Sequence, residues 1–521
     1  MQKDHVRERE TGEMFKRSAS RSQPDLFSNF ESHFTQRKQA QLNDAKSWHS
    51  LFYEHLTSKI DEDVFSVLFD ADIGRPNAPI RQLFAMMILK EGFGWSDAQL
   101  YEHCRFNILA MRALGLMNLS DEAPVESTYY LFKQALYAYQ LKTGRDLVGE
   151  TFASLTRTQA NAFGVLGQQI RMDSKLIGSN LALCCRLQLV VRCIHRFWGS
   201  LDEARKRRLS GKYRQVLDGM LKVQPHQVVY RLTRAEKGEK LQEYGVLLSR
   251  LQATYTEKDS DHYGVMVRVF GDQYTVLSSS KQVLPKPPDE ISASSLQSPD
   301  DEDAAFRKKG EDKVKGYRVN LTETCGEDGL NLITDVDVKP ATAPDNGFVQ
   351  AAIERTQQVV GQVREVSMDG AYNDESNAEY ANEHDKQFYY SGLQGNPGRF
   401  IYERTDDGVT VTDRKTGVVH LAQEYKPGKY KLIIDGKPRY FQEQHIESYL
   451  KRKQIEALPE HIRNRRNNVE ASIFQLSYHT NNGKTRYRGL MPHQLWARCR
   501  TLWVNLVRIR NYVATPTMLP A

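Results

Sequence analysis

Apolar positions spaced three and four residues apart dominate residues 46–150 and predict an all-helical N-terminal region. Ile80, Leu83, Phe84, Met87 and Ile88 follow Pro79 on one predicted helix face, which Gly94-Trp95 ends. Ser96-Asp97-Ala98-Gln99 is a capping-box pattern that opens a second helix. Leu114-Gly115-Leu116 closes a third, and a fourth starts after Pro124, with Ser127 and Thr128 near its N-terminus. Upstream, residues 1–45 are polar, show little apolar period and are expected to form a partly disordered or loosely helical arm.

The period then shortens. Ile170 and Met172 alternate about Arg171, predicting a strand that delivers Asp173 near its end. Residues 316–321 and 330–334 read as a hairpin about a turn at 326–329, a helix follows over 350–360, and a strand over 363–368 presents Asp369 at its carboxyl end. Short β-type runs at 399–402, 409–411, 418–419 and 429–434, with turns at Asp407-Gly408 and Asp435-Gly436, predict a β-rich insertion. Helices return after 445, one holding Glu470 and a long one over 492–512.

The expected organisation is therefore an arm (1–45), a helical domain (46–150), a first core segment (151–185), a variable helical insertion and linker (186–297), a second core segment (298–385), the β-rich insertion (386–445), C-terminal core helices (446–513) and a tail (514–521). Within the variable block, the Pro- and Ser-rich stretch 285–299 reads as a linker or exposed loop.

Composition narrows the class. With 521 residues, 40% hydrophobic and 26% charged, the chain is globular and too long for one ordinary core. No apolar run approaches the about 18 residues of a membrane span, and the polar N-terminus offers no signal-peptide core, so a cytoplasmic, nucleoid-associated protein is expected. The six cysteines form no CxxC pair and read as reduced thiols, and His195, His461 and His493 stand isolated. The net charge of +7 points only weakly to a polyanion, but its distribution says more. Arg463, Arg465, Arg466, Lys484, Arg486, Arg488, Arg498, Arg500, Arg508 and Arg510 share one stretch with a single acid, Glu470, a composition suited to phosphates. Trp496 and Trp503, seven residues apart, read as packing groups.

Phosphodiester cleavage and transfer commonly use two metal ions held by a few carboxylates, best fixed at strand ends. Asp173 and Asp369 follow predicted strands and Glu470 lies on a helix inside the basic stretch, although a lone Asp at a strand end is most often a cap or turn residue. Their surroundings set them apart. Arg171-Met172-Asp173-Ser174-Lys175 with Asn180-Leu181-Ala182, the run Val366-Ser367-Met368-Asp369-Gly370-Ala371-Tyr372, and Arg466-Asn467-Asn468-Val469-Glu470 resemble the three acidic motifs of bacterial insertion-sequence DDE transposases of the Tyr-Arg-Glu-Lys signature group. Ile333-Thr334, Pro340 and Asp345 resemble the lead-in to the second motif. Gly74-Arg75-Pro76, with 83–89, 114–116 and 124–132, resembles the family's helical domain, and Arg486-Tyr487-Arg488-Gly489-Leu490 its C-terminal end. The likeness covers about 46–150, 165–185, 298–378 and 458–513, and Arg463 and Ser477 stand where the signature has Tyr and Lys.

The resemblance implies an α/β fold with an RNase H-like core: a mixed sheet flanked by helices, with a β-rich insertion between the second Asp and the Glu. It implies that Asp173, Asp369 and Glu470 hold two Mg2+ ions, for which Mn2+ substitutes, and that water cleaves the element ends before the freed 3′-hydroxyl attacks target DNA in a cut-and-paste reaction. The partners implied are double-stranded DNA, as terminal inverted repeats and target, and a second copy of the chain. Arg463, Arg465, Arg466, Lys484, Arg486 and Arg488 are the candidate DNA contacts. The helical domain is open between binding DNA ends, with a helix-turn-helix role at 96–116, dimerisation and plain docking. A catalytically inactive, transposase-derived DNA-binding protein and an RNase H-like nuclease without strand transfer are the competing readings.

Overall fold

A computed structural model of the chain describes residues 15–515, apart from 26, 70–76, 183, 231, 327–328, 394, 396–397, 406–407 and 435. Gly74-Arg75-Pro76, Asp407, Asp435, the first 14 residues of the arm and 516–521 of the tail lie outside the described residues.

The helical region comprises α1 (Gln36–Leu42), α2 (Trp48–His55), α3 (Ile80–Phe93), α4 (Asp97–Phe106), α5 (Ile108–Ala113), α6 (Glu126–Thr143) and α7 (Leu147–Ala162). The predicted capping box forms: the Gln99 N–H donates to Ser96 Oγ (3.2 Å) and the Ser96 N–H to Gln99 Oε1 (2.9 Å). Helix α3 departs from the one-faced reading. Ala85, Met86 and Leu89 are as buried as Leu83, Phe84, Met87 and Ile88, because other helices surround it on all sides. The arm contributes the helix α1, and its Phe30 and Leu42 belong to the same core, 1% and 4% exposed.

Next comes β1 (Gln169–Gly178), then the variable block. Its helices α8 (Arg186–Ser200), α9 (Glu203–Lys206), α10 (Gly211–Leu221), α11 (Arg234–Thr254) and α12 (Tyr263–Gln273), with the short pair β2 (Tyr274–Val276) and β3 (Val283–Pro285), enclose a core of their own built on Val190, Phe197, Leu248 and Met266. The stretch 285–299 is not simply an exposed loop: Leu296 and Ser298 are buried. Leu296 completes the apolar core of the block, which polarity along the sequence could not reveal.

The chain re-enters the sheet as β4 (Ala305–Lys309), β5 (Asp312–Thr324) and β6 (Ile333–Pro340), crosses through α13 (Val349–Val360) to β7 (Glu365–Met368), and passes through α14 (Glu375–Glu383) to β8 (Gln387–Tyr390). The order is β4-β5-β1-β7-β8, with β6 also on β5. Strand β5 runs antiparallel to β1, whereas β7 and β8 run parallel, so the sheet is mixed as expected. One face buries Ile170, Met172 and Val366 with Val349 and Ile353 of α13, and the other buries Ile177, Val319 and Leu321 under C-terminal helices.

The β-rich insertion is an antiparallel meander: β9 (Phe400–Thr405), β10 (Gly408–Asp413), β11 (Val419–Lys426), β12 (Lys429–Ile434) and β13 (Lys437–Gln442). Its core of Val411, Leu432 and Phe441 is closed by Ile446 of α15 (Glu443–Ala457). Helices α16 (Glu460–Asn464), α17 (Val469–Ser477) and α18 (Leu490–Ala514) complete the chain.

Helix α18 joins the sheet to the helical region. A Cβ on Gly92 of α3 would stand 2.3 Å from the Trp503 ring, so only glycine admits the indole there. The buried Asn505 amide makes two 2.9 Å hydrogen bonds to Ile333, one with its N–H and one with its C=O, at the start of β6. Among the described residues no helix is long and apolar enough to cross a membrane.

Candidate active site

The parallel pairing of β1 and β7 sets Arg171 beside Ser367, two residues before Asp173 and Asp369 respectively, and both acids line one cleft. Asp173 is not near the end of its strand. Strand β1 continues to Gly178, because β5 pairs with its other edge over that whole length. Strand β7 stops at Met368, which opens the sheet at the level of the two acids.

Asp369 turns the chain out of the sheet: its Oδ1 accepts the Gly370 N–H at 2.6 Å and caps the turn Gly370–Tyr372. A Cβ on Gly370 would lie 2.0 Å from the Gly392 carbonyl oxygen, so the residue after Asp369 must be glycine for the strand to end there. Tyr372, 1% exposed, donates its hydroxyl to Asn320 Oδ1 at 2.7 Å and floors the site.

Glu470 lies in the first turn of α17 with a side chain 64% exposed. That helix is tied to the sheet by a buried carboxylate that the sequence did not single out. Glu323 of β5, fully buried, accepts from Arg171 Nε (2.6 Å), Ser472 Oγ (2.6 Å) and Arg508 Nη2 (2.7 Å), joining β1, β5, α17 and α18. Nothing local in the sequence marks it, because all three donors are distant in the chain.

Arg466 stands among the three acids. Its Nη2 donates to Asp173 Oδ2 at 2.6 Å and its Nη1 lies 3.4 Å from Glu470 Oε1. Burial pushes the Asp173 carboxyl up, with Arg466 and the Ser174 N–H opposing and Asp369 adding to it. Burial also disfavours the Arg466 cation, but the Asp173, Asp369 and Glu470 carboxylates outweigh it and raise its pKa. These four side chains line one cleft of about 440 Å³. Its wall includes Asp345, which pairs with Arg318 and accepts from Ser174 Oγ.

Hard carboxylate oxygens are the donor kind that magnesium takes. Among the described residues, however, no three His, Cys, Asp or Glu side chains are grouped closely enough to share a metal ion. The positive charge between the acids is the Arg466 guanidinium. The donor set thus fits a divalent cation in kind, with Glu470 exposed at the start of its helix.

The other candidate contacts are dispersed. Arg463, on α16, has a buried Nε without an acceptor. Arg465 pairs with Glu365 at 2.7 Å, Arg486 donates to the Gly94 and Trp95 carbonyls at the end of α3, and Arg488 donates to the Asn180 carbonyl at 2.8 Å. Lys484 reaches toward the Leu181 carbonyl at 3.4 Å. Further along, Arg498 pairs with Asp146, Arg500 donates to the carbonyls of Glu91, Gly92 and Gln475, and Arg508 holds Glu323. Much of the positive charge that seemed meant for phosphates is thus turned inward, onto helix ends and a buried acid. At the position of the missing signature lysine, Ser477 Oγ accepts from the Lys175 ammonium at 2.8 Å, so a lysine from β1 reaches the same place. Trp496 is buried, Trp503 packs on Phe93, and His493 bonds Thr485 and Gly489 rather than serving a site.

Residues 38–135 match the family model described as Transposase domain (DUF772). That match supports a transposase family for the protein. It spans the helical region from α1 into α6 and includes none of the three acids. No curated protein and no solved structure matches the chain.

Proposed function

We propose that the protein is a DNA transposase of the DDE type that cleaves the ends of an insertion sequence and joins the freed 3′-hydroxyl to target DNA, in cut-and-paste fashion, as a homodimer on its DNA. What carries the reading is the meeting of Asp173, Asp369 and Glu470, distant in sequence, around Arg466 in one cleft of a chain whose helical region matches a transposase domain. The RNase H-like core is part of the same proposal, supported by the mixed sheet with Asp173 on β1 and Asp369 directly after the adjacent β7.

Asp173, Asp369 and Glu470 are the residues that would hold two magnesium ions, or manganese in their place, and those ions would supply Lewis acidity for the phosphodiester chemistry. The chain's own groups do the rest. The fixed register of β1 and β7 keeps two carboxylates at one level, while Glu323 holds the helix that brings the third. Arg466, which lies among the three acids, would donate from its planar fork to two phosphate oxygens. Lys175, at Ser477, supplies an ammonium beside the cleft.

The test combines purified protein, a duplex ending in the element's own terminal repeats, and magnesium. Cleavage with joining that Asp369→Ala abolishes supports the proposal. Cleavage without joining points to a nuclease, and binding without cleavage to an inactive DNA-binding descendant. Cleavage and joining that survive Asp369→Ala refute the site.

A further inference from the structure

Next to the acid cleft lies a second groove, of about 380 Å³, and the two share Ser174, Lys175, Leu176 and Lys309 along their common wall. The groove is formed by β1, the β4–β5 hairpin and the loop at Asn482, Gly483 and Lys484. Its charged lining consists of Lys175, Lys309, Lys313, Lys315 and Lys484 against the single acid Asp312. The turn that joins β4 to β5 has Gly310 at φ +60°, the glycine-first geometry of a tight hairpin, which fixes the cations on a short rigid ribbon.

Two features of that ribbon leave its cations available to an anionic ligand. Lys308 and Lys313 are directly opposite in the antiparallel register, where like charges destabilise the pair. Lys308, Lys313 and Lys315 form no ion pair, although 27 ion pairs occur among the described residues. In addition, Arg318, 4% exposed on the same hairpin's long strand and lining the acid cleft, pairs with Asp345 through Nη1 and keeps a buried Nε without an acceptor. A row of ammonium groups without ion pairs, leading from the acid cleft, suits a polyanion of regular charge spacing. Lysines serve there as point charges that grip backbone without reading sequence.

We infer that the β4–β5 hairpin, with Lys175 and Lys484, is a phosphate track that carries the DNA backbone out of the acid cleft, gripping it independently of sequence. The inference rests on the proposed function for its ligand, DNA. It assigns a role to Lys308, Lys309, Lys313 and Lys315, which the sequence left without one.

The experiment uses the full chain and a fluorescent 30-base-pair duplex of arbitrary sequence, without divalent metal, with affinity measured across a series of salt concentrations. Each phosphate contact adds about 0.9 to the slope of log affinity against log salt. The combined Lys308→Gln, Lys313→Gln and Lys315→Gln variant should lower that slope by about 2 to 3, equally for unrelated duplexes. The same number of changes on the remote helical block, Lys212→Gln, Lys222→Gln and Lys258→Gln, should leave the slope unaltered. All six side chains are at least partly exposed, and thermal unfolding checks that both variants fold. An unchanged slope in the hairpin variant, an equal fall in the remote variant, or a wild-type chain that binds no duplex overturns the track. Cleavage is scored separately. A flattened slope with no cleavage by the wild type retains the track and removes the transposase reading, whereas cleavage lost with Asp369→Ala and an unchanged slope does the reverse.

Discussion

Replacing Glu323 with Gln is the most direct test of how the site is held together. The substitution keeps shape and volume but puts an amide N–H2 where a carboxylate oxygen now accepts from Arg171, or from Ser472 and Arg508. A donor then faces donors at a fully buried position, and two guanidiniums, 12% and 18% exposed, lose their counter-charge. Breaking a buried pair in this way costs about 3–5 kcal/mol. Expressed as local opening, that is an increase of roughly two to four decades in amide exchange, at about 1.4 kcal/mol per decade. The assay is hydrogen exchange read peptide by peptide, with α17 and β5 as reporters and the β9–β13 meander as the undisturbed reference. Glu365→Gln is the matched control: its partner Arg465 is also an arginine, but the Glu365 side chain is 29% exposed where that of Glu323 is fully buried, so its loss should cost less. If α17 in the Glu323 variant exchanges no faster than in the Glu365 variant, the carboxylate does not anchor the helix that carries Glu470, and the account of the site's rigidity fails.

Other outcomes follow from the same contacts. Gly370→Ala should displace Asp369 or its loop, since a Cβ there meets a backbone oxygen at 2.0 Å; overpacking of this sort costs about 1–3 kcal/mol, and DNA cleavage should fall further than stability does. Arg466→Ala removes the cation that competes for Asp173; a charge-assisted hydrogen bond is worth about 1.5–3 kcal/mol, so Mn2+ binding measured by calorimetry should tighten by roughly tenfold or more while cleavage declines. An unaltered or weaker Mn2+ affinity contradicts that competition. In the meander, the Arg399 hydrogen bonds hold the Asp413 carboxyl down to about 2, below the ordinary value of about 3.9. A depressed folded pKa contributes stability that is complete above the unfolded value and is lost as pH falls through the folded one. Exchange protection of β9–β13 should therefore drop between about pH 4 and pH 2, and Asp413→Asn should abolish that acid-dependent step.

Local signals in the sequence served well where one segment sets its own conformation. The Ser96 capping box, the helix over 350–360 and the strand that ends at Asp369 all appear where their spacing placed them, because caps and periodicity act within a few residues. The strand at Asp173 was located but its length was not. Residues beyond the acid remain in the sheet only through β5, whose partner positions lie about 150 residues further on, as Asp173 opposite Leu321 illustrates. Strands β8 and β13 escaped notice for a related reason: one is short and the other so polar that its pairing with β12 defines it. The basic stretch misled most, since an arginine that holds Glu323 or the carbonyls of a helix end looks the same in sequence as one awaiting a phosphate. Glu323 itself was invisible, because its three donors converge only after folding.

The seat of Trp503 against Gly92 also governs the order in which the molecule can be made. Helix α3 emerges from the ribosome about four hundred residues before the indole that packs against it, and β6 begins at Ile333, whose backbone groups wait for Asn505. At typical synthesis rates of about 5–20 residues per second, the helical region spends tens of seconds with that surface uncovered. The nascent chain should therefore be a substrate for chaperones over that interval, and the cleft at Asp173 should acquire its final rigidity only once α18 has been synthesised.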